Sequence, residues 1–303
     1  MALFAGIEAG GTKMRCAIGD GEGNIIDEIR FETATPSINI PQIIQYFQQK
    51  RVSHPFESMG IATFGPLCLD ESKPEYGHVI KSPKLEWVDF DFLGSVQSAI
   101  DVPTGFDTDV NGAVLAESLW GHGVGLDNVI YLTIGTGIGG GAMIGGKLCH
   151  GAMHPEMGHI YIPHNTEADP FEGVCPYHND CFEGLASGPA MKARWQVDSA
   201  LDLPPDHEAW ALEAQYLAYA LTNYILTLSP LRIIMGGGVM KQAHLFSKIR
   251  KNVQTLLNGF VHHDSVMHNI DTMIVPPKLG QEAGLCGAFA LAIQALDKVK
   301  TPA

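Results

Sequence analysis

Short apolar runs that break at glycine recur along this chain. Phe4 to Glu8 reads as a strand that stops at Gly10-Gly11-Thr12-Lys13, and Met14 to Ile18 resumes the strand pattern. After the turn signal Asp20-Gly21-Glu22-Gly23-Asn24, a third strand covers Ile25 to Phe31. Pro41 to Gln49 reads as a helix, with Pro41 in its first turn and Ile43, Ile44 and Phe47 at helical spacing. Ser58 to Thr63 is a buried strand closed by Phe64-Gly65-Pro66. Lys81 to Asp89, with Pro83 and Trp87, reads as a loop rather than a core element. Val102 to Asp107 gives another strand, and Asp109 to Trp120 a helix with Ala113, Leu115, Ala116 and Leu119 at its apolar positions.

The second half opens like the first. Val129 to Ile134 is a strand that runs into glycines, followed by a second strand at Ala142 to Ile144. Two strand-turn-strand units, each with a glycine loop, suit a clamp that grips a polyphosphate from both sides. Ala209 to Leu228 has a broad apolar face formed by Trp210, Leu212, Tyr216, Leu217, Ala220, Leu221, Tyr224, Ile225 and Leu228. A buried strand, Arg232 to Met235, enters Gly236-Gly237-Gly238. Helices follow at Lys241 to Leu257 and Glu282 to Leu296. Strands alternating with helices make the fold class α/β.

Composition narrows the function. With 303 residues, 46% of them apolar, the chain can build one large or two ordinary domains. Its net charge of -14 disfavours nucleic acid or an anionic membrane as a partner. The longest uncharged run, Val129 to Gly146, holds seven glycines and lacks the bulk of a membrane span. The N-terminus shows no basic region followed by a long apolar segment, so the expected location is cytoplasmic. Of six cysteines, Cys16, Cys68, Cys149 and Cys286 are scattered and expected to be reduced packing residues.

Cys175 and Cys181 differ, because Cys175-Pro-Tyr-His178-Asn-Asp-Cys181 places three metal-type ligands in a turn-forming stretch. With His159 as the fourth they make a closed Cys2His2 set suited to structural zinc, and His154 and His164 are rivals for that fourth place. Glu156 and Glu183 flank the cluster, where they are either acceptors for vicinal hydroxyls or solvated surface groups. Asp109 stands at a strand exit and helix start. There it is either an N-cap or a carboxylate that takes a proton from an attacking hydroxyl, with Asn111 or Thr108 fixing its geometry. Tyr-Leu-Thr-Ile-Gly-Thr-Gly-Ile-Gly-Gly-Gly, from Tyr131 to Gly141, is either a phosphate cradle or a plain hairpin. Gly236 to Gly238 likewise marks a ligand approach or a simple turn, and Ser187-Gly188-Pro189 starts a helix.

Together these motifs resemble the ROK family of sugar kinases, within the actin and hexokinase-like superfamily, and its fructokinase branch in particular. The resemblance runs end to end through Gly6 to Lys13, Thr108 to Glu117, Leu132 to Gly141, Pro155 to His159, Cys175 to Glu183, Gly236 to Met240 and Leu279 to Ala290. It implies two actin-like (ribonuclease H-like) domains with a ligand cleft between them. The smaller would span 1–115 and be joined by the C-terminal helix 287–303; the larger would span 116–286 and carry the zinc.

The resemblance also implies ATP-dependent phosphorylation of a hexose, D-fructose before glucose or mannose, with Asp109 as base and with Asn111, Glu156, His159 and Glu183 on the sugar. Gly10, Gly11, Thr12, Lys13, Thr136 and Gly137 would hold ATP phosphates, Pro189 and Gly236, Gly237 and Gly238 would border the nucleotide, and Mg2+ would assist. His159, Cys175, His178 and Cys181 would bind Zn2+. A homodimer is implied, and a sugar-sensing repressor is the rival reading from another class. Two departures stand out. Glu8 occupies a place where an aspartate is common, which bears on how Mg2+ is held, and His178 replaces the second of three usual cysteines, a variant associated with fructokinases.

Overall fold

The computed structural model describes residues 2–82 and 84–300; Pro83, and the outermost residues of the expected domain spans, lie outside them. In chain order the first elements are β1 (Leu3–Ala9), β2 (Lys13–Asp20), β3 (Ile25–Glu32), α1 (Pro36–Ser53) and β4 (Ser58–Thr63). Next come β5 (His78–Val79), β6 (Phe90–Asp91), α2 (Phe92–Gln97), β7 (Thr104–Thr108) and α3 (Asp109–Trp120). The second half contains β8 (Val129–Ile134), β9 (Ile138–Ile144), β10 (Lys147–Leu148), α4 (Phe182–Ala186), α5 (Gly188–Trp195) and α6 (Ala209–Leu228). It continues with β11 (Arg232–Gly236), α7 (His244–Leu257), α8 (Asp264–Met267), α9 (Ile270–Met273) and β12 (Ile274–Val275), and α10 (Ala283–Lys300) closes the chain.

Two five-stranded sheets carry the same plan, in the orders β3-β2-β1-β4-β7 and β10-β9-β8-β11-β12. In each, an antiparallel glycine-tipped hairpin is followed by two parallel strands, as at β1–β2, β1–β4 and β4–β7 and again at β8–β9, β8–β11 and β11–β12. The likeness of the two halves in sequence is therefore a likeness of topology. The uncharged run Val129 to Gly146 supplies the β8–β9 hairpin, and no helix among the described residues is long and apolar enough to cross a membrane.

The chain divides into two compact units. One holds Met1–Val124, Leu148–Pro155 and Glu282–Ala303, and the other holds Gly125–Lys147 and Glu156–Gln281. The expected boundaries at 115 and 287 fall inside α3 and α10, which stay whole. In the first unit Gly6 pairs with Gly60 across β1 and β4, and Gly60 with Gly105 across β4 and β7, so one register row is glycine on these three strands. Helix α10 lies on that row. A Cβ at Gly6 would meet Phe289 at 2.8 Å, one at Gly60 the carbonyl oxygen of Ala288 at 1.9 Å, and one at Gly105 that of Leu291 at 2.4 Å. Only bare backbone lets the helix approach so closely.

Two local expectations are corrected. Helix α1 starts at Pro36, which takes the early position where a missing N–H costs nothing, and Pro41 lies inside the helix. Trp87 belongs to the core rather than to a surface loop. It is fully buried, its indole N–H donates to Ala34 O at 2.7 Å, and Phe64, Phe90 and Phe92 surround it at ring-centre distances of 5.3 to 5.7 Å. A buried indole needs such an acceptor, and the backbone supplies one 53 residues away.

Candidate active site and metal centre

The first unit supplies a glycine turn and a carboxylate. Gly10 to Lys13 forms the tip between β1 and β2, closed by Gly10 N–H donating to Lys13 O at 2.9 Å. Thr33 braces the tip, its N–H donating to Thr12 O at 2.9 Å and its hydroxyl to Gly10 O at 2.7 Å. Gly11, Thr12 and Lys13 are exposed, and among the described residues no atom beyond Gly11 and its two chain neighbours lies within 4 Å of where a Cβ on Gly11 would be. A braced, open, glycine-rich tip is suited to an anion.

Asp109 is the first residue of α3, and Thr108 rather than Asp109 caps the helix, its hydroxyl accepting from Asn111 N at 3.1 Å. The capping role is thus filled, and Asp109 keeps part of its surface open. Crowding by the protein nevertheless lifts its carboxyl to about 6, against the opposing N–H of Val110 at 2.9 Å. Glu8, on β1, is pushed up to about 7 by burial, with Arg15 pulling it down and Asp109 pushing it up. Arg15 faces Glu8 across the hairpin at 3.2 Å and also pairs with Glu28 at 2.7 Å and with Glu282. Glu8 is therefore engaged by a guanidinium.

Asn111 is buried, and its amide N–H donates to Asp107 Oδ1 at 2.7 Å, while its Oδ1 has no hydrogen-bond partner among the described residues. Asp107 Oδ2 lies 2.8 Å from His150 Nε2. Asp107, His150 and Arg15 were not singled out in the sequence. Arg15 was accessible there, because a hairpin tipped at residues 10 to 13 pairs position 8 with position 15; the partnership of Asp107 with His150 leaves no such trace.

The second unit gathers the metal-type cluster. Ligand atoms of His159, Cys175, His178 and Cys181 all lie within 4.8 Å of one another. Cys175 Sγ stands 3.7 Å from Nδ1 of both His159 and His178, and Cys181 Sγ 3.6 Å from His159 Nδ1. A tetrahedral zinc at ordinary Zn–S and Zn–N lengths would separate its sulfur and nitrogen ligands by about 3.6 Å, so the donor set fits that metal. Burial pushes the Cys181 thiol up to about 12 against the N–H groups of Gly184 and Glu183, and a cation would reverse that. The rivals for the fourth place are otherwise engaged. His154 Nε2 accepts from Leu67 N at 3.0 Å, and His164 lies between Asp180 at 3.1 Å and Asp169 O at 3.0 Å.

Glu183 joins this cluster to the second glycine turn. Its Oε1 is 4.0 Å from His159 Nε2, and its Oε2 accepts from Ile138 N at 2.8 Å. A Cβ on Gly137 would come within 2.8 Å of Oε2, so glycine is what admits the carboxylate there. The turn itself closes through Gly135 N–H to Gly137 O at 2.9 Å and leaves Thr136 exposed. Gly188 N–H donates to Gly135 O at 2.8 Å, which brings the start of α5, with Ser187 as cap and exposed Pro189, to the same turn. Gly237 adopts φ +93°, and a Cβ there would strike Ile134 O at 2.3 Å. Gly236 to Gly238 thus abuts the hairpin that carries Thr136, with Gly238 exposed. Glu156 is exposed and accepts His159 N–H at 3.0 Å through its carbonyl.

Comparison with known proteins follows the same outline. The ROK family model matches residues 4–295. A putative fructokinase of Bacillus subtilis (strain 168) is 47% identical over 295 residues, covering 97% of this chain and 97% of that protein. A fructokinase of Zymomonas mobilis is 39% identical over 300 residues, covering 98% of each. Among solved structures, a ROK family glucokinase from Streptomyces griseus in complex with glucose and AMPPNP aligns with a TM-score of 0.75 at 25% identity, covering 97% of this chain and 100% of that one.

Proposed function

The chain belongs to the ROK family, and from that premise we propose that it is an ATP-dependent fructokinase that transfers the terminal phosphoryl group of ATP to the 6-hydroxyl of D-fructose. The observation that carries the reading is Asp109, a carboxylate at a strand exit that is relieved of capping by Thr108 and lifted to about 6. At neutral pH such a group is ionised yet basic enough to take a proton. The fructokinases among its relatives, together with the Cys175, His178 and Cys181 pattern, favour fructose.

In this mechanism Asp109 accepts the proton of the attacking hydroxyl as the oxygen closes on phosphorus. Backbone N–H groups of Gly10 to Lys13 and of Thr136 and Gly137 hold the phosphates, while Pro189 and Gly236 to Gly238 border the nucleoside. When bound, Mg2+ would offset charge on the β and γ phosphates. Glu156 and Glu183 accept hydrogen bonds from sugar hydroxyls, and Asn111 presents its unpartnered Oδ1. His159 does two things, turning Nδ1 to the cysteines and Nε2 to the side of Glu183 where a hydroxyl would lie. Zinc in that closed set would be structural, cross-linking the segments that carry Glu156 and Glu183.

Initial rates with ATP and a panel of hexoses test the substrate. Fructose is expected to exceed glucose and mannose in kcat/KM by at least about tenfold, the discrimination of one well-placed hydrogen bond. A higher value for glucose or mannose would reassign the substrate within the same chemistry.

A further inference from the structure

Segment Leu148–Pro155 belongs to the first unit, although the residues before and after it, up to Lys147 and from Glu156, belong to the second. Two imidazoles fasten it there. His150 Nε2 lies 2.8 Å from Asp107 Oδ2 and 3.3 Å from Asn111 Nδ2; an ionised carboxylate oxygen only accepts, and the Asn111 amide already donates to Asp107 Oδ1 at 2.7 Å, so this nitrogen donates to Asp107. His154 Nε2 lies 3.0 Å from the N–H of Leu67, and since an amide N–H only donates, this nitrogen must carry no proton. The His154 ring is buried against Gly65, where a Cβ would approach it to 3.2 Å. One end of the segment is therefore docked on the β7–α3 corner that carries Asp109, and the other on the turn after β4. The residue that follows Pro155 is Glu156.

We propose that His150 and His154 are positioning residues that fasten segment 148–155 to the first unit and thereby set the place of Glu156 as a fructose ligand. The proposal rests on the fructokinase reading for the identity of the sugar. The two bonds respond differently to acid. His150 keeps its Nε2 proton on Asp107 whether the ring is neutral or charged; the bond to Asp107 favours its charged form, and burial and Lys298 oppose it. His154 loses its acceptor on protonation. Burial holds it below the usual imidazole range, with the His150 charge reinforcing that and Asp107 and the Pro155 carbonyl opposing. Acid therefore releases the His154 end alone.

The test is fructose affinity by calorimetry without ATP, on the zinc-loaded chain, from about pH 8 down to about pH 5, past the usual imidazole range because burial lowers His154. His154→Gln offers a non-titrating oxygen to Leu67. It should bind fructose at neutral pH within about threefold of wild type and lack an acid weakening on the order of tenfold that wild type shows, the effect of one buried hydrogen bond. His154→Phe and His150→Phe should raise the fructose Kd and KM by about tenfold or more while KM for ATP and kcat at saturating fructose stay within a few-fold. The proposal is overturned if His154→Gln keeps the full acid weakening, or if the Phe variants leave fructose affinity intact or weaken ATP equally. Should the Phe variants not fold, the His154→Gln curve decides alone. If wild type binds and phosphorylates no hexose, the sugar reading is what has failed. Hydrogen exchange of residues 148–155, expected to quicken in wild type as pH falls relative to His154→Gln after correction for intrinsic rates, then still separates a fastened segment from a loose one.

Discussion

Asp109→Asn should lose about 10²–10⁴-fold in kcat while fructose and ATP bind nearly as in wild type, because general-base assistance is worth roughly that factor and the amide preserves shape. The asparagine can still accept the Val110 N–H through its oxygen, and Thr108 still caps α3, so the helix start should not shift. What disappears is the ability to take a proton. Acid should act on wild type in the same way. Asp109 is lifted to about 6, so lowering the pH through that value converts the active carboxylate to the inactive acid, and kcat/KM should fall about tenfold per pH unit below it. Glu8, lifted to about 7, takes up its proton first, which removes a neighbouring negative charge and helps Asp109 stay ionised down to about 6. The residual kcat/KM of Asp109→Asn should lose that limb and keep only the shallower fall, about tenfold in all, that the loss of the His154 bond brings. Near-normal turnover with an unchanged limb would remove Asp109 from the mechanism.

Cys181→Ser is expected to have the other large effect, on zinc content and on stability together. The residue is fully buried, immediately precedes α4, and shares His159 Nδ1 with Cys175. Structural zinc sites contribute on the order of 10–16 kcal/mol of apparent binding free energy, so a site reduced to three ligands should hold zinc poorly and unfold at a markedly lower temperature. Because Glu183 begins two residues on and bridges His159 to Ile138 N, the same change should weaken fructose more than ATP. Elemental analysis, thermal unfolding and calorimetry read the three effects. EDTA should reproduce them in wild type, and added zinc should reverse them there but not in the variant. A wild-type protein that holds no zinc when purified in its presence, with unchanged stability, would make the cluster a set of plain thiols and imidazoles.

Both glycine-tipped hairpins and α6 were legible because their signals are local. Apolar runs stop at glycines, and the face from Trp210 to Leu228 repeats at 3.6 residues. The metal-type set was legible from the Cys175, His178 and Cys181 spacing, but the choice of His159 over His154 and His164 needed the fold, since Leu67, Asp169 and Asp180 are what occupy the other two. Thr108 displaced Asp109 as cap by one position, below the precision of a pattern. The glycine row Gly6, Gly60 and Gly105 was invisible because it exists only once three strands are in register. The burial of Trp87 escapes the local pattern for a similar reason, as its acceptor at Ala34 and its neighbour Phe64 are distant in the chain.

Phosphorus NMR of purified protein with ATP, Mg2+ and D-fructose bears most directly on the chemistry assigned to Asp109. One new phosphomonoester, fructose 6-phosphate, should appear at the rate at which ADP forms, and Asp109→Asn should slow both together. ADP released without a sugar phosphate, or phosphate carried by a different oxygen of the sugar, would contradict it.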